Sequence, residues 1–64
     1  MKNVEVGQKV VAVWGAMFPV EKCVVEWVAE DGQIKIVNEE GDGWIVNNIK
    51  QKPEVGMPVG VYFA

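Results

Sequence analysis

The sequence predicts an all-β domain, five antiparallel strands forming a small barrel or a half-open antiparallel roll. Two observations predict it. Apolar residues recur in short runs with a period of two, the spacing that sends alternate side chains to opposite faces of a strand. Each run ends at a glycine, proline, asparagine or acidic cluster of the kind that turns a chain, as in Glu30-Asp31-Gly32 and Gly41-Asp42-Gly43. The 64 residues suffice for one domain, residues 1–64, with no linker, repeat or low-complexity tract.

Val4-Glu5-Val6-Gly7 leads in and turns at the glycine. The first strand follows over roughly Lys9 to Trp14, with Val10, Ala12 and Trp14 on one face and Val11 and Val13 on the other. β-Branched valines crowd this stretch and disfavour a helix. Gly15 to Glu21 is a long loop, because Pro19 cannot donate to a ladder. The second strand spans about Lys22 to Ala29, with Cys23, Val25 and Trp27 facing one way and Val24, Glu26 and Val28 the other. Glu30-Asp31-Gly32 makes a hairpin turn in which Gly32 supplies positive φ. The third strand, Gln33 to Asn38, sets Ile34 and Ile36 against Lys35 and Val37. A short fourth strand, Trp44 to Val46, runs into a single 3₁₀ turn at Asn47-Asn48-Ile49. Pro53, Gly56, Pro58 and Gly60 keep the following segment extended or turning, and Val59 to Phe63 supply the fifth strand.

Composition excludes several chemistries. The chain has no histidine, serine or threonine, so a hydroxyl–histidine triad cannot be built. Cys23 is the sole cysteine, which rules out an intrachain disulfide and the usual four-ligand zinc site; in a valine-rich strand it reads as a small core hydrophobe. No phosphate loop or dinucleotide fingerprint is present. Asn38, Glu40 and Asp42 alternate oxygen ligands but lack the twelve-residue loop and terminal glutamate of an EF-hand, so no metal and no cofactor are expected. The net charge is −3, the six lysines are scattered and arginine is absent, which argues against a sequence-specific nucleic-acid partner. No apolar run approaches the roughly 20 residues of a membrane span. The N-terminal Met1-Lys2-Asn3-Val4-Glu5 has no apolar signal core, so a cytoplasmic protein is expected.

From residue 6 to residue 49 the order of elements resembles the SH3-like barrels, and among them the Tudor-like and KOW-type modules. The resemblance rests on Val6-Gly7-Gln8-Lys9-Val10-Val11-Ala12-Val13-Trp14, Cys23-Val24-Val25, Asp31-Gly32-Gln33-Ile34-Lys35-Ile36, and Trp44-Ile45-Val46 with Ile49. Tudor-like domains hold methylated lysine or arginine in aromatic cages, and Trp14 stands where a first cage residue is placed. Glu21 and Ile36 stand where the second and third rings are expected, so the cage is incomplete. The plasmid-borne type II dihydrofolate reductases resemble this chain in size and layout and build one pore from four chains. Where they carry Val-Gln-Ile-Tyr, this chain reads Gly43-Trp44-Ile45-Val46-Asn47.

Two candidate surfaces remain. Trp14, Phe18, Trp44 and Tyr62 are expected to line a groove for an extended peptide, with Asp42 or Glu40 biasing it toward basic ligands; the alternative for these aromatics is packing. Val11, Val13, Val24, Val28, Val37 and Ile45 make an apolar stripe on the outer face, which a soluble monomer rarely exposes. The C-terminal segment and a second subunit are the two ways to cover it. The expectation is a non-catalytic protein-interaction module that self-associates through this surface. The alternatives are a ligand-binding or enzymatic pocket formed only between subunits, and a nucleic-acid-associated barrel within a larger complex.

Overall fold

The computed structural model describes residues 4–64. Met1, Lys2 and Asn3 lie outside the described residues, as does what the sequence analysis says of that end of the chain. Five strands form one antiparallel sheet: β1 (Lys9–Val13), β2 (Glu21–Val28), β3 (Ile34–Asn38), β4 (Gly43–Val46) and β5 (Gly60–Phe63). Their spatial order is β4-β3-β2-β1-β5. The first four strands form a meander of hairpins, and β5 returns to lie beside β1. The sheet is strongly curled into an open half-barrel, with no helix among the described residues.

The alternation seen in sequence sorts the side chains. Val10, Ala12, Cys23, Val25, Ile34, Ile36, Val61 and Phe63 point into the curl and form the core with Ile49. Val4, Trp14, Trp44 and Val46 pack against it half-buried. The turns also follow the local chemistry. Gly32 and Gly41 adopt φ of 95° and 91°, in the left-handed region that glycine alone enters freely. The Asn38 side-chain oxygen accepts from the backbone N–H of Glu40 and of Asp42, each at 2.9 Å, and fixes the β3–β4 turn.

Three features depart from the sequence expectation. First, the β2–β3 register shifts between Val25 and Trp27: Val25 pairs with Ile36, whereas Trp27 pairs with Lys35 and Val28 with Ile34. This bulge sets Glu26 and Trp27 together opposite Lys35, and Glu26 forms an ion pair with it at 3.5 Å. The extra residue inverts the alternation beyond it. Trp27 therefore shares the outer side with Lys35, while Val28 moves to the inward register of Ile34, at the exposed end of the strand.

Second, β5 and the segment before it cover part of the outer face, one of the two coverings the sequence allows, and in doing so bury two side chains expected to be exposed, Val13 and Tyr62. Tyr62 pairs with Val11 and Val13 with Gly60, so both side chains lie in the outward register. Both are nonetheless buried, 2% and 6% exposed. The Tyr62 hydroxyl donates to the Pro58 carbonyl at 2.5 Å and tethers the preceding loop over this corner. Third, no 3₁₀ turn forms at Asn47-Asn48-Ile49. Ile49 is drawn into the core instead. Lys50 then bridges to β5, its N–H donating to the Val61 carbonyl and its carbonyl accepting from the Phe63 N–H, both at 2.9 Å.

Candidate functional site

Antiparallel pairing brings three connections to one end of the sheet: the β1–β2 loop, the β3–β4 turn and the residues just before β5. Four of the five expected groove residues lie in or beside these connections. Trp14 follows β1, and Trp44 lies near the start of β4. Their rings are 5.1 Å apart between centroids and inclined at 47°, which is direct aromatic contact. The Trp14 indole N–H donates to the Glu21 carboxylate at 3.1 Å. Glu21 thus anchors the indole, and the paired rings leave no slot for a cation between them.

Phe18 sits in the β1–β2 loop, 64% exposed, between the exposed Met17 and Pro19. Asp42 is exposed in the β3–β4 turn. Tyr62 is separated from these by burial. With its ring covered and its hydroxyl bonded to Pro58, it acts as a strut within the fold and presents no ring to solvent. The groove is therefore reduced to Trp14, Phe18, Trp44 and Asp42, of which the two indoles are committed to each other.

The outer face is the larger surface. Of the expected stripe, Val13 is buried by the approach of β5 and Val28 is carried off the face by the bulge. Val11, Val24, Val37 and Ile45 remain, in outward register, with Val24 39% and Ile45 51% exposed. Trp27 joins them. It stands across Lys35 of β3 from Ile45 of β4, and the far edge of β4 has no strand partner among the described residues.

Near the β1 and β2 part of this face lies an open depression of about 720 Å³. Val11, Val24 and Val37 contribute to its lining, with Lys9, Lys22, Lys52 and Glu39 around them. The register explains the grouping: Lys9 stands opposite Val24 and Val11 opposite Lys22. In sequence these lysines look scattered, because Lys9, Lys22 and Lys52 are distant along the chain. Their grouping depends on strand pairing and on the return of the chain after Lys50.

Cys23 is buried in the core, and its thiol approaches the Glu21 carbonyl at 3.8 Å. Burial, and secondarily the Glu21 carboxylate, push the thiol above its ordinary pKa. A protonated, enclosed thiol is a poor nucleophile. Among the described residues no group of three or more histidine, cysteine, aspartate or glutamate side chains is placed to hold a metal ion. Among the described residues no helix is long and apolar enough to cross a membrane. No protein-family model, curated protein or solved structure matches the chain.

Proposed function

We propose that this protein is a small non-catalytic interaction module of the SH3-like kind, working in the cytoplasm, that self-associates through its outer β surface and engages a protein partner. The observation that carries the reading is the exposed Ile45 on β4, whose far edge has no strand partner among the described residues, with the exposed Trp27 on the same outer face two strands away. Large apolar side chains next to open backbone donors and acceptors favour association with another chain. The rest of the stripe is less suited to self-contact. Stacking the Val11–Val24 region on a copy of itself about a two-fold axis would bring two sets of the same lysines together, and like charges in an interface are costly. The self-contact accordingly centres on the β4 side.

Sedimentation velocity and native mass spectrometry across micromolar concentrations test this reading. A concentration-dependent dimer or tetramer is expected. Ile45→Lys should weaken it by more than about ten-fold, because a lysine enclosed at the contact loses its hydration. A monomer at every concentration overturns the reading.

A further inference from the structure

We infer that the lysine-rimmed depression on the outer face is a docking site for an extended, acidic segment of a partner protein that also carries aliphatic side chains. The inference rests on the outer face being an interaction surface, and it names the chemistry of the partner. Three facts support it together. The lining includes the aliphatic Val11, Val24 and Val37. Three of the chain's six lysines, Lys9, Lys22 and Lys52, surround these residues, although the protein carries a net charge of −3. None of the three is engaged in an ion pair among the described residues; Lys35 alone pairs, with Glu26.

The arrangement also selects among anions. Lys9 and Val24 face each other across the β1–β2 ladder, as do Val11 and Lys22, so cation and methyl groups form a checkerboard. An extended chain alternating carboxylate and aliphatic side chains matches that pattern at strand spacing. A single fatty-acid headgroup supplies one carboxylate for three separated ammonium groups, and the depression is open rather than a closed acyl tunnel. A nucleic acid would bring enough charge, but none of the lining residues is aromatic to stack a base. Glu39 also lines the depression and opposes any anion near it, so the carboxylates of the segment fall on the lysine side. Carboxylate-rich peptides gain from the lysines and from burial of aliphatic groups on the valines.

The experiment titrates a fluorescein-labelled synthetic peptide of alternating Glu or Asp with Val or Ile, read by fluorescence polarisation, with amide shifts mapping the contact. Saturable binding is expected, with shifts at Val11, Val24 and Val37 and marked weakening from about 20 mM to about 500 mM salt. The triple variant Lys9→Gln/Lys22→Gln/Lys52→Gln should bind about ten-fold more weakly, as three exposed ion pairs are lost. The corresponding Lys→Arg variant should retain binding, and circular dichroism confirms that each is folded. No binding at millimolar peptide overturns the inference. So does stronger binding of a lysine-substituted peptide, of single-stranded oligonucleotide or of laurate, or a shift map that lies elsewhere. Sedimentation of the same samples separates this result from self-association: a monomer that binds the acidic peptide keeps this inference and removes the self-association reading. A dimer indifferent to the peptide does the reverse.

Discussion

Removing one oxygen atom tests the role assigned to Tyr62. The ring is buried on the outer side of β5 and its hydroxyl donates to the Pro58 carbonyl. Tyr62→Phe keeps the ring and its packing and deletes only that bond. A net intramolecular hydrogen bond contributes about 0.5–1.5 kcal/mol. Pro58 is itself exposed, so its carbonyl can turn to water when the donor is lost, which places the cost in the lower part of that range, about 0.5–1 kcal/mol. For a chain of 64 residues each kcal/mol moves Tm by about 8 °C, so the substitution should lower Tm by about 4–8 °C. Differential scanning calorimetry at a fixed protein concentration measures this. Hydrogen exchange should show faster opening of residues 53–59 while β2 and β3 keep their protection. An unchanged Tm and unchanged exchange in that loop would refute the strut. Loss of peptide binding at unchanged stability would return Tyr62 to the groove originally expected from sequence.

Two further outcomes follow from the same geometry. Phe18→Ala should leave Tm within about 4 °C, because an exposed loop side chain changes stability by only about 0.5 kcal/mol; if Phe18 is a partner anchor, binding should fall more than about ten-fold, whereas an unfolded variant would show that the ring is core. Cys23 should react slowly with a thiol reagent in the native protein and rapidly in denaturant, and fast native labelling would contradict its inward placement. Its pKa is raised by folding, so the unfolded chain releases the thiol proton first as pH rises. Stability should therefore be unaffected by this group below the ordinary thiol pKa of 9.0 and decline above it until the folded thiol also ionises. Cys23→Ala should remove that contribution to the decline in chemical-denaturation midpoints measured across pH.

The parts of the fold that follow local rules were legible. Strands lie where valine and isoleucine alternate, and turns lie where glycine enters the left-handed region at Gly32 and Gly41. The inward set Val10, Ala12, Cys23, Val25, Ile34 and Ile36 follows from period two alone. The bulge was not legible, because nothing in Val25-Glu26-Trp27 signals an extra residue. It becomes evident only when β3 supplies a register, and it then exchanges the sides of Trp27 and Val28. The burial of Val13 and Tyr62 was hidden for a related reason. Both occupy outward positions, and what covers them is the return of the chain through Pro58 and Gly60 to a strand far away in sequence. The lysine-rimmed depression depends on the same long-range geometry. Alternation specifies a side of a strand; it does not specify which distant segment will lie over that side.

The two margins of the sheet are unequal, and this sets a limit on growth. Lys50 occupies backbone groups of Val61 and Phe63 along the outer margin of β5, while the far margin of β4 is unoccupied among the described residues. A strand-to-strand union between protomers therefore has only one free margin to use on each molecule. In a ladder joined through β4, the strand at either end is β5, where Lys50 already takes the Val61 carbonyl and the Phe63 N–H, so a further protomer would meet a partly filled edge rather than an open one.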